Sequence, residues 1–551
     1  VQNLPRTLEH STEDAITEEM AKPSWMPRPE TSEKKLKPEF SQQKEADMKK
    51  DQFGSVNRRQ FIRGLGLGAG LLTLGKIDLA QAALLPKAKR SEKFNVVVIG
   101  TGLTGMAAAL AAQNAGAKVA VLEKVSEKEV GGNSRLAGGL IAVTRDGSQA
   151  AKDEYYEDFM KKSSGKGNAA LSRVLANQSL DAVNWLKEQG AELTDPMTVA
   201  GYRVKSVVFK PGAYKGMPKG LETLRGKLTK KGGKIFYETK AKQLILGESG
   251  AVIGVRASDA AGLKDYLADA VVIATGGYGG NREMLETFVD PNADEMMLRG
   301  AKTATGDGLH MAREAGAMWV NMGGMASVHV AAVSPKNTAA GNPFMAVAYT
   351  LGINKDGKRY VDESLGYVAN GKAAMKQPGQ TVALVFDEEI KKKPGVAASI
   401  KQFEGLGIDI VQADTIGELA AKIGVPAASL EKTIADFNAA VKDEKAPDAQ
   451  PAKAAFAYKV SAPKFYAFYP LSPGITLTFG GIRINEKAQA LEADGKAIPG
   501  LYAAGECAGG LYYEDYIGGA SLANCLVMGR IAGQQAATAK APVKKGKEKK
   551  N

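Results

Sequence analysis

The apolar positions of this chain fall into two regimes. Asn95–Gly100 reads NVVVIG, a short β-branched run ending on glycine, and predicts a strand buried on both faces. MAAALAAQNAGA (106–117) carries helical spacing stopped by Gly116, and KVAVLEK (118–124) predicts the next strand. Strand, helix and strand in this order predict a βαβ unit, hence an α/β fold. ADAVVIATGG (268–277) and GLYAAGE (500–506) repeat the strand-to-glycine form. Between roughly 321 and 469 the rhythm is lost. Amphipathic stretches and the Pro/Ala-rich KDEKAPDAQPAKAA take its place, which predicts a second domain inserted into the first.

The first 53 residues are polar, charged and poor in aromatics, and predict a disordered leader. Residues 54–83 follow a different pattern. Arg58 and Arg59 form a twin-arginine pair, Phe61 and Arg63 follow, a Gly/Leu-rich stretch runs from Gly64 to Gly75, and AQA closes it at Ala80–Ala82. The apolar stretch is shorter than the ~20 residues of a membrane span. The order of the three parts predicts a twin-arginine export signal and a periplasmic mature protein with no integral membrane segment.

Composition removes several function classes. The chain has 551 residues, 44% of them apolar, and a formal charge of +13, much of it in tails such as the basic 541–551 segment. No basic motif with interleaved aromatics points to nucleic acid. Two cysteines, Cys507 and Cys525, with no C-x-x-C-H, predict no covalent haem, no iron–sulfur cluster and two buried free thiols. Three histidines, His10, His310 and His329, argue against a histidine-ligated metal. The 63 glycines are clustered, which predicts tight turns and close backbone approach to a ligand.

One cluster is Gly100, Gly102 and Gly105, a G-x-G-x-x-G between the first strand and its helix. In that context the first glycine makes the turn, the second lets backbone approach a pyrophosphate, and the third packs helix on strand. Glu123 ends the next strand, with Lys124 beside it, where an acid binds ribose hydroxyls. GGNSRLAGG supplies Gly132, Asn133, Ser134, Gly138 and Gly139; TATGDG supplies Asp307; GLYAAGE supplies Gly505 and Glu506.

These motifs, in this order over roughly 94–540, resemble the flavoprotein-subunit family of fumarate reductase and succinate dehydrogenase. The resemblance implies FAD, with GGNS…AGG along the flavin, Ala241 among the contacts, Thr275, Gly276 and Gly277 near the adenosine part, and Ala520, Ser521 and Leu522 under the pyrimidine edge. No histidine stands near 131–139, so the FAD is expected to be noncovalent. The implied organisation is a Rossmann-type FAD-binding domain in two parts (94–320 and 470–540) around an α+β capping domain (321–469).

The resemblance also locates a substrate site, with departures. In NKDGKRYVDESLGY, Tyr367 stands where the soluble fumarate reductases carry an arginine proton donor. Thr476 of TLTFGG replaces a clamping histidine, and Tyr516 of YIGGAS replaces a carboxylate-binding arginine. The relay residues before the usual AILVN are missing, since FMAVAYTLGIN is apolar. Tyr367 and Tyr516 match the paired tyrosines of 3-ketosteroid Δ1-dehydrogenases. FYAFYPLSPGITLTFGG and KQPG are similar to tricarballylate dehydrogenase-like proteins, the nearer group by extent. The implied chemistry is flavin hydride transfer to one carbon of a C=C bond. Tyr367, a phenol of ordinary pKa near ~10, would donate the proton, and Tyr516 and the Gly519 N–H would polarise an oxygen. His329 falls near the family's cap histidine. Arg135, Arg203, Arg299 and Arg483 are each able to anchor a carboxylate or phosphate, and sequence does not rank them. Tyr512 and Tyr513 read as packing or rim residues.

The expectation is therefore a periplasmic reductase of an unsaturated carboxylate or enone, fed by an external donor such as a small cytochrome c or a quinol-oxidising membrane protein. Dehydrogenation of a 3-ketosteroid-like ketone or a tricarballylate-like polycarboxylate is the enzymatic alternative. A flavin electron-carrier subunit is the non-enzymatic one.

Overall fold

The computed structural model describes residues 85–198, 203–323, 326–333 and 341–539. The expected leader, export signal and basic tail lie outside them. No helix among the described residues is long and apolar enough to cross a membrane.

The NVVVIG run forms the strand Val96–Ile99, every residue of which is buried. It pairs in parallel with Val119–Leu122 on one side and Ala270–Ile273 on the other. Six strands make this sheet, in the order Gln489–Leu491, Ala497–Ala503, Ala270–Ile273, Val96–Ile99, Val119–Leu122, Lys234–Phe236. Only the Gln489–Leu491 edge runs antiparallel to its neighbour. The four central strands turn into the same end of the sheet, so the glycine turns meet there.

The helix Leu103–Asn114 is buried from Leu103 to Ala112, which explains its run of alanines. It lies between the sheet and the helix Ala520–Thr538, whose Gly529 and Gly533 let the two backbones approach. A Cβ at Gly533 would sit 2.1 Å from the Ala108 carbonyl oxygen. Its N-terminal turn is equally tight: a Cβ at Gly105 would sit 2.0 Å from the Gly100 carbonyl oxygen.

A second hydrophobic cluster, running from Val330 to Leu471, is separate from the first. Phe386, Phe403 and Phe468 meet at its centre, with ring centroids 4.9–5.2 Å apart where Phe468 touches the other two. Its spine is the strand Phe465–Thr478, which pairs with Ala326–Ala332, Val382–Asp387 and Val411–Ala413. That strand runs through residue 470 without a break, and near its far end it also pairs with Met297–Leu298. The inserted region is thus tied to the glycine-turn end of the first sheet by one continuous strand.

A buried ion cluster stiffens the second core. Arg359 and Glu363 pair at 2.7 Å, and the Lys453 ammonium lies 3.5 Å from the same carboxylate. Lys453 donates to the Thr350 carbonyl, and the Gly352 N–H donates to Glu363. The Arg359 guanidinium also covers the Phe437 ring at 4.8 Å. Glu363 opens the short turn Glu363–Leu365, after which Gly366 leads into the helix Tyr367–Ala374. Gly371 of that helix presses on the strand Ala326–Ala332; a Cβ there would meet the Val328 carbonyl oxygen at 2.1 Å. Among the described, partly buried apolar side chains, Tyr367 alone packs against both hydrophobic clusters.

Candidate functional site

A cleft with about 890 Å³ of empty space opens at the glycine-turn end of the sheet. Gly100, Gly102, Glu123, Lys124, Gly132, Asn133, Ser134, Ala241, Thr275, Gly276, Asp307 and Glu506 line it.

Gly100 takes φ +108°, and a Cβ there would lie 2.4 Å from the Ala274 carbonyl oxygen. The helix that follows begins at Gly102 with no side-chain cap from that residue, so its N-terminus faces the cleft with backbone N–H groups. The Ser134 hydroxyl accepts from one of them, the Leu103 N–H. Glu123 is steered by its own neighbours: it accepts from the Thr101 N–H and hydroxyl on one oxygen and from the Val125 N–H on the other. Further along, Lys124 pairs with Asp307 at 2.7 Å. Burial pushes the Asp307 carboxyl up, but its bond to Lys124 and the Lys240 charge outweigh that, and it sits below its ordinary value.

GGNSRLAGG folds as the short helix Gly132–Leu136, entered through Gly131 at φ +105°. Its Asn133 ties three segments together. The amide donates to Glu506 at 2.7 Å and its oxygen accepts from the Ala301 N–H at 2.7 Å. Burial holds the Glu506 carboxyl above its ordinary value, although the Thr478 N–H and Asn133 stabilise its anion. Gly277 has to be glycine, since a Cβ would lie 2.1 Å from the Thr478 hydroxyl and 2.5 Å from Glu506.

The remaining expected cofactor residues sit behind this surface. Gly105 and Gly505 seat the fingerprint helix, Gly505 by closing on Thr104. Gly138 faces Tyr214, and Gly139 packs on Met217 and Phe209. Ala520, Ser521 and Leu522 form the first turn of the helix Ala520–Thr538. Both thiols are free, but Cys525 is only partly buried and borders the cleft, a correction to the expectation of two buried thiols. Burial pushes Cys525 up to about 11 and Cys507 up to about 12.

A second cluster lies where the strand Ala326–Ala332 meets Phe465–Thr478. Their register slips between Ser327 and Val328, leaving Thr476 as the extra residue of the long strand. Arg299 enters here. Its N–H donates to the Ile475 carbonyl, and its side chain crosses Gly474, where a Cβ would lie 2.6 Å from Cγ and Cδ. Nη1 donates to His329 Nδ1 at 2.8 Å and to the Thr476 hydroxyl at 2.7 Å. A guanidinium only donates, so Nδ1 is an acceptor and His329 carries its proton on Nε2, bonded to Ser327 at 2.8 Å.

Burial, with the Arg299 charge second, holds His329 well below the ordinary histidine value. Burial likewise lowers Arg299, while the phenols of Tyr214, Tyr516 and Tyr367 pull it back up. The sign for stability follows. Above about 6.5 the folded and unfolded forms both hold the imidazole neutral; below it only the unfolded chain takes up the proton. Stability is full above that pH and falls as the pH drops. His329→Gln should flatten this part of the profile. Denaturant midpoints between about pH 7.5 and pH 5 test it, and an unchanged slope would show that His329 is not the group responsible.

Tyr367 stands edge-on to His329, ring centroids 4.6 Å apart, and to Phe344 at 5.8 Å. A Cβ on Gly518 would lie 3.5 Å from its hydroxyl, so the phenol reaches the YIGG turn. Tyr516 is buried two residues earlier, against Phe479 and Tyr512. Gly519, at φ +87°, caps the helix that follows. The structure therefore brings Tyr367, Tyr516, Thr476, His329 and Gly519 to one junction. Of the four arginines only Arg299 reaches it. Arg203 pairs with Asp158 and Glu157, Arg135 bonds the Lys128 carbonyl, and Arg483 is exposed. Tyr512 is buried and donates to the Ala520 carbonyl, and Tyr513 lies under Lys166.

Sequence reasoning missed Ser327, Asn342 and Tyr214, which surround the Arg299–His329 pair. None belongs to a glycine motif. The one available signal was the glycine at 474, a strand position left empty beside a long side chain.

Comparison with known proteins gives a consistent answer. Residues 95–522 match the family model described as FAD binding domain. A probable fumarate reductase of Shewanella frigidimarina is 33% identical over 454 residues, covering 81% of this chain and 75% of the relative. A urocanate reductase of Eggerthella lenta is 32% identical over 472 residues, covering 80% and 74%. Among solved structures, the open conformation of a flavocytochrome c3 fumarate reductase superposes with a TM-score of 0.67 at 31% identity, covering 82% of this chain and 79% of that one. The cleft fits the implied cofactor on its own geometry: glycines where a side chain would clash, a helix N-terminus at its wall and a carboxylate at the strand end. Gly105→Val should therefore yield protein with less than about a tenth of the wild-type flavin, because the helix N-terminus is pushed off the turn. Flavin released on denaturation measures this; full occupancy would refute the assignment of the cleft.

Proposed function

The chain belongs to the FAD-binding family of the fumarate reductase flavoproteins and is an FAD-dependent oxidoreductase, and from that premise we propose that it reduces the C=C bond of an unsaturated carboxylate or enone. The observation that carries this reading is Tyr367, a phenol packed against both cores with its hydroxyl at the turn before Ala520–Thr538.

Gly100, Gly102, Gly105 and the helix N-terminus would hold the pyrophosphate of FAD. Glu123 would take the ribose, and Asn133, Ser134 and Glu506 the ribityl chain. Gly132, Gly138, Gly139, Thr275, Gly276 and Gly277 would shape the walls, and Ala520, Ser521 and Leu522 would support the ring, with no covalent bond expected. FAD held there would, once reduced by an external donor, supply hydride chemistry for one alkene carbon. Tyr367 gives its hydroxyl proton to the other carbon and is reprotonated from solvent. The Tyr516 hydroxyl and the Gly519 N–H donate to the substrate oxygen on which charge develops. Thr476 and His329 hold Arg299 in orientation. With His329 held neutral, the proton to carbon is assigned to Tyr367, whose hydroxyl reaches the YIGG turn.

The named activities of the relatives, reduction of fumarate and of urocanate, support reduction as the direction. Export through a twin-arginine signal to the periplasm, and electron supply by a cytochrome c or a quinol-oxidising membrane protein, belong to the same reading. The paired phenols Tyr367 and Tyr516 favour a second one, dehydrogenation of a ketone. Steady-state assays separate them. With a reduced viologen as donor, enoates and enones should consume dye and yield the saturated product. Dye consumption by none of them, with activity on saturated ketones and an acceptor dye instead, would reverse the direction. Inactivity in both assays would leave an electron carrier.

A further inference from the structure

Resting on that reading of the site, we propose that Arg299 binds the substrate's carboxylate, and that the site takes unsaturated acids with one carboxylate and an apolar or aromatic remainder. Arg299 is 6% exposed and lies two residues before Ala301, which borders the cofactor cleft. Bonds to His329 and Thr476, with Gly474 beneath, fix the guanidinium plane. A fixed planar donor is what a carboxylate clamp requires.

The charge around it decides how many carboxylates fit. His329 is neutral, since its Nδ1 accepts from the cation. Among the described residues, the phenols of Tyr214, Tyr516 and Tyr367 moderate the Arg299 charge. Lys372, the partly buried cation of the Tyr367 helix, donates to the Glu514 carbonyl and faces Asp515. Among the described residues, one positive charge set among neutral donors matches one carboxylate. A second would be stripped of water against hydroxyls alone, which is unfavourable.

Two further observations point to a ligand. Asn342 is 4% exposed, its amide nitrogen lies 3.1 Å from His329 Nδ1, and its Oδ1 has no hydrogen-bond partner among the described residues. A buried acceptor in that state calls for a bound molecule or water. Phe344 also touches the Tyr367 ring, centroids 5.8 Å apart, and keeps 38% of its surface exposed. That apolar surface suits a hydrocarbon or aryl substituent better than a second charge.

Binding tests this apart from turnover. The oxidised FAD holoenzyme is titrated with 3-phenylpropanoate, its uncharged amide and succinate, following the flavin spectrum. The expected order is phenylpropanoate tightest, with the amide and succinate each weaker by at least about tenfold, the worth of one charge-assisted hydrogen bond. Arg299→Gln should erase the preference for phenylpropanoate over its amide, and Arg299→Lys should restore part of it. Succinate binding as tightly as phenylpropanoate, or an Arg299→Gln enzyme that keeps the preference, overturns the proposal. If Arg299→Gln fails to fold, the wild-type order decides. Failure of the C=C reductase reading would appear instead as dye left unconsumed with every enoate, whatever the binding order.

Discussion

Replacing Tyr367 with phenylalanine will stop turnover and leave the flavin in place. Removal of a positioned proton donor lowers kcat by about 10²–10⁴-fold. The change should fall on kcat, because the carboxylate clamp and the aromatic wall are untouched. Phenylalanine keeps the ring edges against His329 and Phe344, so folding should change little. Flavin content should match wild type, since Tyr367 does not border the cofactor cleft. Steady-state kinetics with released-flavin quantitation checks both halves. A kcat within about threefold of wild type would assign the proton to another group.

The largest loss of stability should come from Glu363→Ala. Glu363 is fully buried between Arg359 and Lys453 and accepts the Gly352 N–H as well. Removing it leaves two cations in the second core with carbonyl partners only, at a cost of about 3–5 kcal/mol. Burial already lowers Lys453 below its ordinary value, so in the variant this ammonium should shed its proton more readily. The damage should also reach the chemistry, since Glu363 begins the turn that delivers Tyr367. Denaturant unfolding followed by tryptophan and by flavin fluorescence should show a destabilised transition. A loss under about 1 kcal/mol would mean the cluster is redundant.

How far the chain was readable depends on what each feature is made of. Gly100, Gly102 and Gly105 were readable because local strand–turn–helix geometry demands glycine, and local geometry is written in consecutive residues. The loss of strand–glycine rhythm after 320 was readable as a change of period, and a separate core runs from Val330 to Leu471. The continuity of Phe465–Thr478 was not, because a strand serving two cores has no distinct pattern of its own. Tyr367 and Tyr516 were singled out through the turns that carry them. Arg299 was one of four equal candidates, since its burial depends on Gly474 and on a register slip in a strand paired from over a hundred residues away. The Asn133–Glu506 bond joins positions 373 apart for the same reason. Side-chain partners across elements are set by packing, and packing is not periodic.

The most direct measurement is a single turnover. The purified holoenzyme is reduced anaerobically with one equivalent of dithionite and mixed with a monocarboxylic enoate, and the flavin band is followed in time. Rapid return of the oxidised spectrum is expected, with one equivalent of saturated acid formed. A reduced flavin that stays reduced with every enoate and enone would contradict it.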